Sequence, residues 1–196
     1  MTDPAARIRS GTGPADCVPV LAAAFAREPA TRWICGDAPR TRARWFAATL
    51  AAQAGLPGAR SHLLTGADGT PIAAAVLTPP GAGPGLRARA AWAARTLVGC
   101  GPRPLTRTLR YLEATEHLPP EDAWTLEFLG VRPDRAGRGE GGALLRHVLA
   151  DTPAGVRLTT ADPANVPFYA RYGFTVRARP AVGHLAVTAM HRPATG

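Results

Sequence analysis

Residues 131–145 read Val-Arg-Pro-Asp-Arg-Ala-Gly-Arg-Gly-Glu-Gly-Gly-Ala-Leu-Leu, so an apolar segment enters a glycine-rich loop that opens an amphipathic helix. Glycine adopts positive φ angles at little cost, which lets the backbone approach a ligand closely. The first N–H groups of the following helix have no acceptor within the helix, and they lie at the positive end of its dipole. The pattern therefore predicts an anion site, and phosphate is the group that such sites bind most readily.

The composition favours one ordinary globular domain. The chain has 196 residues, 46% of them hydrophobic, and we expect residues 1–196 to form a single domain. No apolar run approaches the ~20 residues of a membrane span, and the N-terminus has no apolar signal segment. Cys17, Cys35 and Cys100 are odd in number and widely spaced, which favours reduced, buried thiols over disulfides or metal ligands. The sequence thus predicts a cytoplasmic protein with no membrane partner and no metal site.

The formal charge of +9 does not by itself indicate a nucleic-acid partner. All 23 basic residues are arginine, and Ala, Gly and Pro are abundant, which is the composition that GC-rich coding produces. The arginines are dispersed, with neither a long basic run nor interleaved aromatic residues for base stacking. We therefore predict no nucleic-acid partner and expect the charge to help attract an anionic cofactor.

Hydrophobic periodicity and turn signals predict alternating helices and strands. An Asp-Gly pair between two apolar runs indicates a hairpin, and a Pro/Gly segment at 79–85 indicates a loop. The sum is a mixed α/β fold with the glycine loop at the centre of its sheet. From the N-terminus, the predicted elements are a strand at 7–9, helices at 16–26 and 40–54, a hairpin of 61–65 with 71–77, two helices within 86–117 broken at 99–104, a strand at 124–131, a helix at 141–150, a strand at 156–160, a short helix at 166–172, and strands at 174–177 and 184–190.

Two other classes of phosphate-binding loop can be compared with this one. A Walker A loop is excluded because the chain contains no lysine. Gly137, Gly139 and Gly142 do satisfy the Gly-x-Gly-x-x-Gly pattern of dinucleotide-binding domains, and Asp162 follows at about the expected spacing. However, residues 132–136 separate the first glycine from the strand, and only a short segment follows Asp162. Dinucleotide binding stays open as an alternative.

Residues 131–145 resemble the acyl-CoA motif of the GNAT superfamily of N-acyltransferases, in which Gln/Arg-x-x-Gly-x-Gly/Ala follows Val-x-Pro. Gly139 and Gly141 occupy the glycine positions, whereas Ala136 stands where the family has Gln or Arg. Residues 165–174, Asn-Val-Pro-Phe-Tyr-Ala-Arg-Tyr-Gly-Phe, resemble the second motif of the same family, Asn-x-x-x-Tyr-x-x-x-Gly-Phe. Residues 21–33 and 117–124 are similar to the puromycin N-acetyltransferase subgroup. The resemblance implies a mostly antiparallel central sheet flanked by helices, with a helical insertion before the central strand that builds the acceptor pocket.

The resemblance also implies acetyl-CoA as the acyl donor. In the family, the backbone of the central strand pairs with the pantetheine arm, and the N–H groups of the loop bind the pyrophosphate. Asn165 would orient the arm by its place in the motif, or cap the helix that follows it. The residues predicted to bind acetyl-CoA are Leu129, Gly130, Val131, Gly137, Arg138, Gly139, Glu140, Gly141, Gly142 and Asn165.

Three residues are predicted to take part in catalysis. Tyr169 matches the family's general acid, although a phenol protonates a thiolate uphill by about 2 kcal/mol, so a hydrogen bond to the leaving sulfur is equally consistent. Strand alternation places Thr125, Glu127 and Leu129 on one face and Trp124, Leu126 and Phe128 on the other. Glu127 then faces the acceptor, either as a base or as a carboxylate paired with an arginine. His117, at the end of the predicted pocket helix, is the third candidate.

The predicted activity is direct transfer of an acetyl group from acetyl-CoA to an amine of a small molecule, within a ternary complex and without a metal. An aminonucleoside-type antibiotic or a related metabolite is the acceptor that the subgroup resemblance implies. Two alternatives remain: acetylation of a peptide or protein amine, and a CoA-binding regulatory module without activity. The expected assembly is a monomer or a homodimer.

Overall fold

The computed structural model describes residues 7–115, 118 and 122–194. Its strands are β1 (Arg7–Ser10), β2 (Arg60–Thr65), β3 (Pro71–Thr78), β4 (Trp124–Val131), β5 (Val156–Thr160), β6 (Thr175–Ala178), β7 (Ala181–Val182), β8 (Leu185–Ala186) and β9 (Thr188–Arg192). Its helices are α1 (Pro14–Ala24), α2 (Pro29–Cys35), α3 (Pro39–Ala54), α4 (Leu86–Cys100), α5 (Pro102–Thr115), α6 (Glu140–Ala150) and α7 (Asn165–Ala170).

One seven-stranded sheet organises the fold, with the strand order β1-β2-β3-β4-β5-β9-β6. Neighbouring strands are antiparallel except β4 and β5, which are parallel. The strands β7 and β8 form a separate hairpin. The predicted mixed, mostly antiparallel sheet is therefore confirmed, and α4 and α5 form the predicted helical insertion before the central strand β4.

Helices cover both faces of the sheet. The alternation along β3 directs Ala73, Ala75 and Leu77 into a core with α6, whereas Ala74 and Val76 face a second core with α1 and α3. Because most of these side chains are alanine, the helices pack close to the sheet. The strand is buried from Ile72 to Thr78, as expected for a central strand covered on both sides.

The structure departs from the sequence-based prediction near both ends of the chain. The helix α2 was not predicted, because its seven residues are too few to show a periodicity. The short helix predicted at 166–172 begins one residue earlier and ends at Ala170. The strand predicted at 184–190 is two strands, since β8 turns back on β7 through Gly183 at φ +59° whereas β9 joins the main sheet.

The predicted alternation along β4 is wrong after Glu127. In the pairing with β3, Val76 lies opposite Phe128 and Leu77 lies opposite Leu126, so Glu127 is an extra residue in a β-bulge. Because of this extra residue, the side chains after Glu127 project from the opposite face of the sheet to the one predicted. Leu126 packs in the core with α6, as Leu129 does, whereas Phe128 packs in the core with α1 and α3.

The three cysteines are free thiols, and Cys17 and Cys35 are buried, as predicted. Cys100 was also predicted to be buried, but it is half-exposed. Burial raises the pKa of Cys35 to about 12, so this thiol stays protonated at neutral pH. Among the described residues, no helix combines the length and the apolar character needed to cross a bilayer.

Gly130 allows α1 to pack directly on β4, and replacing it should destabilise the fold. A Cβ atom at this position would lie 2.8 Å from the Cβ of Ala24 and 3.0 Å from side-chain carbons of Leu21 and Phe25. We expect Gly130→Ala to lower the free energy of unfolding by about 1–3 kcal/mol, the usual cost of overpacking. Gly83→Ala is the control, because nothing lies within 4 Å of its added Cβ. Equal unfolding midpoints for the two variants in a denaturant titration would contradict this account of Gly130.

Candidate active site

A cavity of about 860 Å³ opens beside the central strand. Among the described residues, β4 and β5 pair only at Trp124 with Val156 and at Thr125 with Arg157. Beyond these pairs the two strands separate, and β4 contributes residues from Thr125 to Leu129 to the cavity wall. The other walls come from α2, α3, α4, α5, α7, the strands β5 and β9, and the loop after β3. Helices of the predicted insertion thus do line a pocket.

Glu127 lies in the wall of this cavity, where the bulge of β4 presents it. Its Oε1 accepts a hydrogen bond of 2.5 Å from the hydroxyl of Thr78 on β3. Arg157 lies in the same wall and is itself positioned by Thr125, which accepts a 2.9 Å hydrogen bond from Nε, and by the carbonyl of Leu118. The predicted carboxylate is therefore anchored by a neighbouring strand while facing an open volume.

A second carboxylate, Glu28, lines the cavity and was not predicted. It caps α2, accepting hydrogen bonds from the backbone N–H groups of Ala30 at 3.1 Å and Thr31 at 2.6 Å. Its negative charge contributes to raising the pKa of both Tyr111 and Tyr169. A glutamate followed by Pro29 at the first position of a helix was the available sequence signal for this cap.

Tyr111 is a further cavity residue that the sequence did not reveal. Its hydroxyl lies 3.0 Å from the Thr159 hydroxyl on β5, which joins α5 to the sheet. Burial raises the pKa of Tyr111 to about 12, and the carboxylates of Glu28 and Glu127 add to the rise. Glu28 and Glu127, two of the carboxylates in the cavity wall, therefore favour the protonated form of the Tyr111 phenol. On α5, the spacing of Tyr111 from Thr108 and Thr115 places all three on one helical face, and this was the signal in the sequence.

Tyr169 lies on α7 at the end of the cavity where β4 and β5 have separated. Its side chain is 9% exposed, and its ring packs edge-on against Phe168 and Phe174. Burial, with a smaller effect from the charge of Glu28, raises the pKa of the phenol well above its usual range. The hydroxyl therefore stays protonated at neutral pH and can act as a hydrogen-bond donor.

Asn165 also lines the cavity, but it does not cap α7. It is the first helical residue, and its amide Nδ2 donates to the hydroxyl of Thr160 at 3.2 Å. Asp162 instead accepts a 3.0 Å hydrogen bond from the N–H of Ala164. The helix-cap alternative for Asn165 is therefore wrong, because the turn before α7 is stabilised by Asp162.

The glycine loop follows β4 and leads into α6. Gly137 and Gly139 have φ angles of +79° and +86°, which other residues rarely adopt. Gly139 precedes the helix, and its carbonyl accepts the first bond of α6 from Ala143 at 2.9 Å. By this geometry the N–H groups of residues 140–142 lie at the helix N-terminus without an acceptor in the helix. The loop thus has the conformation predicted for an anion site.

The side chains of the loop show which of its residues have packing roles. Glu140 is buried, and its Oε1 lies 3.1 Å from Nη2 of Arg135, so the carboxylate is neutralised within the loop. Gly141 faces Val131, and Gly142 faces the hydroxyl of Tyr172, which a Cβ would approach to 2.2 Å. Arg138 is exposed. Close packing around α6 therefore requires glycine at positions 141 and 142, whether or not the loop also binds a ligand.

The predicted site residues fall into two adjoining regions along β4. Glu127, Leu129, Asn165 and Tyr169 line the cavity, whereas the loop from Gly137 to Gly142 lies beyond the end of the strand. Gly130 is covered by α1, and Val131 packs in the core with α6. His117 lies outside the described residues.

Solved structures to which this chain is similar include several acetyltransferases. The structure of this chain is similar to that of a Corynebacterium glutamicum protein described as histone acetyltransferase HPA2 and related acetyltransferase. The TM-score is 0.71, with 20% sequence identity and 97% of each chain covered. A GNAT-superfamily phosphinothricin acetyltransferase from Sinorhizobium meliloti, solved in complex with AcCoA, gives a TM-score of 0.57 at 16% identity over 97% of this chain and 89% of that one. The Drosophila melanogaster polyamine N-acetyltransferase gives 0.60 at 16% identity over 95% and 98%. No family model matches the sequence. The chain therefore has the fold of the GNAT acetyltransferases.

Proposed function

We propose that this protein transfers an acetyl group from acetyl-CoA directly to an amine of a small molecule. The observation that carries the proposal is the position of the cavity, which opens where β4 separates from β5 and contains Glu127, Glu28 and Tyr169. The glycine loop follows directly at the end of the same strand. A structural neighbour with this fold was solved with AcCoA bound, which supports the same donor here.

The glycine loop is suited to the pyrophosphate of acetyl-CoA, and the open edge of β4 is suited to its amide-containing pantetheine arm. Free N–H groups at the start of α6, together with two glycines at positive φ, suit a pyrophosphate. Where β4 is not paired with β5, its backbone can hydrogen bond to an extended amide-containing arm at Leu129 and Val131. Asn165, on the opposite side, would orient that arm. Ala136 supplies no side-chain contact, so the backbone provides the donors.

The cavity supports a small acceptor that carries a positive charge. Its volume of about 860 Å³ is within the range of small-molecule sites, roughly 300–1,000 Å³. Glu28 and Glu127 favour an ammonium group, and the surrounding aromatic rings suit a planar group or a cation. The aromatic residues in the wall are Phe25, Trp45, Trp92, Tyr111, Phe128 and Tyr169.

The residues of the cavity can perform the steps of the reaction in order. Glu127, directly or through water, accepts a proton from the acceptor ammonium, and the free amine then attacks the thioester carbonyl. A C–N bond forms and the C–S bond breaks, so negative charge develops on the departing sulfur. Tyr169 donates a hydrogen bond to that sulfur as its charge develops. The attacking nitrogen carries two protons once the C–N bond has formed, and it passes one of them through water to the departing sulfur, so the products are the amide and the CoA thiol. No step requires a metal.

The finer acceptor assignment follows the resemblance of residues 21–33 and 117–124. We infer an aminonucleoside-type antibiotic or a related metabolite, because such a molecule combines an amine with aromatic groups that the cavity walls can contact. Acetylation of a peptide or protein amine is the second candidate, since one neighbour is described as a histone acetyltransferase. The volume of the cavity favours the small molecule.

Turnover with a panel of amines tests the proposal. The purified chain is incubated with acetyl-CoA and puromycin, polyamines, aromatic amines or a lysine-containing peptide, and released CoA thiol is measured. We expect thiol release with at least one small amine, and none without protein. Acetyl-CoA binding without turnover on any amine would instead support the regulatory module, and turnover on the peptide alone would support the second candidate.

Donor binding is predicted to depend on Gly141. A branched side chain there would press on Val131, whose Cγ2 lies 3.0 Å from the position of the added Cβ, and would displace the N–H groups of the loop. We expect Gly141→Val to weaken acetyl-CoA affinity at least about tenfold, or ~1.4 kcal/mol, in calorimetry. Gly85→Val, at the N-terminus of α4 in open space, is the matched control. Unchanged affinity in a folded Gly141→Val protein would contradict the site, and binding of NAD in place of CoA would favour the dinucleotide alternative.

A further inference from the structure

Three side chains with metal-binding atoms converge at the end of α6 opposite the glycine loop. They are His62 on β2, His147 in the last turn of α6 and Asp151 directly after it, and their ligand atoms all lie within 4.8 Å of one another. His147 Nε2 and Asp151 Oδ2 are 3.4 Å apart, and the two imidazole rings have a centroid distance of 5.4 Å. None of the three lines the cavity. The cluster is therefore separate from the proposed active site.

Two buried nitrogen atoms in this cluster have no hydrogen-bond partner among the described residues. They are Nε2 of His62 and Nε2 of His147. His62 is only 1% exposed, and its other ring nitrogen, Nδ1, lies 3.0 Å from the hydroxyl of Ser10. When Nδ1 donates to Ser10, Nε2 presents a lone pair towards His147 and Asp151. Buried polar atoms without partners are uncommon in proteins, and a bound ion is one of the causes that account for them.

We propose that His62, His147 and Asp151 bind one divalent transition-metal ion, with Zn²⁺ the best match. Two imidazole nitrogens and one carboxylate oxygen are a common ligand set for zinc, and water can supply a fourth ligand. Ligand atoms on a tetrahedral zinc ion lie about 3.3 Å apart, so the observed spacings need side-chain shifts of at most about 1.5 Å. The spacing of His147 and Asp151, four residues apart, places both on one side of the helix end.

The surroundings of the cluster also favour a cation. The carbonyl end of α6 carries the negative end of the helix dipole. The contact from Ser10 fixes the orientation of the His62 ring, as hydrogen bonds around metal sites usually do. Arg60 is a nearby positive charge that opposes cation binding. Its guanidinium is held by a 2.8 Å hydrogen bond from Nη1 to the carbonyl of Asp151 and by a contact with the Trp124 ring.

A metal ion at this site would join β2 to the C-terminal end of α6. Since a ligand that binds only the folded state adds to its stability, zinc should raise the melting temperature of the protein. The effect is on stability and metal affinity, and it can be measured without any acetyl transfer.

The test uses the full chain without an affinity tag, stripped with chelator and titrated with Zn²⁺ alone in a calorimeter. We expect one equivalent of zinc to bind and to raise the melting temperature. His147→Ala and Asp151→Ala should each weaken binding at least about tenfold, because each removes one ligand atom. His184→Ala is the control, since this histidine is exposed in the turn between β7 and β8. Titration with Co²⁺ should give visible absorption bands that His147→Ala loses.

Several results would overturn this site. They are the absence of zinc binding by the stripped wild-type chain, unchanged affinity in both His147→Ala and Asp151→Ala, or an equal loss in His184→Ala. His62→Ala removes a buried side chain and can unfold the protein for that reason alone. The two variants at the end of α6 are half-exposed or exposed, so they decide the outcome whether or not the His62 variant folds.

Discussion

Tyr169→Phe is expected to lower kcat for acetyl transfer about 100-fold while leaving KM for acetyl-CoA nearly unchanged. The phenol is protonated because burial raises its pKa, so it can stabilise the sulfur anion only as that charge develops. The lost interaction exists mainly in the transition state, which is why kcat falls and donor binding does not. The ring remains in place against Phe168 and Phe174, so the fold should be intact. Single-turnover kinetics with one good acceptor measures the effect on the chemical step.

Tyr172→Phe is the matched control for this experiment. Its hydroxyl lies 3.5 Å from Nη1 of Arg146 and faces Gly142 of the glycine loop, but Tyr172 is not in the cavity wall. Its removal should therefore leave kcat unchanged, and any effect should fall on KM for acetyl-CoA. The raised pKa gives a second expectation. Since Tyr169 keeps its proton through the neutral range, the pH profiles of wild type and Tyr169→Phe should have the same shape and differ only in height. Wild-type kcat in Tyr169→Phe, when chemistry limits the rate, would remove this residue from the mechanism.

Glu127→Gln should give a loss of kcat/KM that depends on pH. The acceptor amine, with a pKa near 10, is almost entirely protonated at neutral pH, and a base is needed to free its lone pair. We expect a loss of about 100-fold at neutral pH, within the range usual for general-base catalysis, and a smaller loss as the pH rises and solvent deprotonates the amine. Profiles of kcat/KM against pH for both enzymes provide the measurement.

Glu113→Gln is the control, because Glu113 is a carboxylate at the exposed rim of the same cavity. It should change KM for a cationic acceptor modestly and leave the shape of the pH profile unaltered. A Glu127→Gln defect of constant size at every pH would assign Glu127 a binding or structural role. The main role of the carboxylate would then be to accept the 2.5 Å hydrogen bond from Thr78.

The central part of the fold was predictable because its signals are local. The strands at 124–131 and 156–160 and the hairpin before them have strong apolar runs and clear turn residues, and all were predicted within a residue of their bounds. The positive φ angles of Gly137 and Gly139 also follow from residue type. The β-bulge at Glu127 was not predictable, since nothing in β4 alone shows that β3 offers one residue fewer across it.

The composition of the sites was only partly predictable, for a similar reason. Tyr169 and Glu127 were found from a motif and a central strand, whereas Glu28 and Tyr111 reach the cavity through the packing of α2 and α5. His62 and His147 were not predicted as a pair, because β2 and α6 are far apart in the sequence and meet only in the folded sheet. Contacts between distant segments carry no periodicity that one sequence can display.

The separation of β4 from β5 has a consequence for how the protein avoids unwanted association. Unpaired strand edges usually lie at the margin of a sheet, where another protein can add a strand and start aggregation. Here the unpaired edge is internal, because β9 and β6 continue the sheet beyond β5 and helices cover the faces. We therefore expect this edge to exclude a folded partner and to admit an extended, flexible molecule with amide groups. The gap between β4 and β5 would then select a ligand by its cross-section as well as by its chemistry.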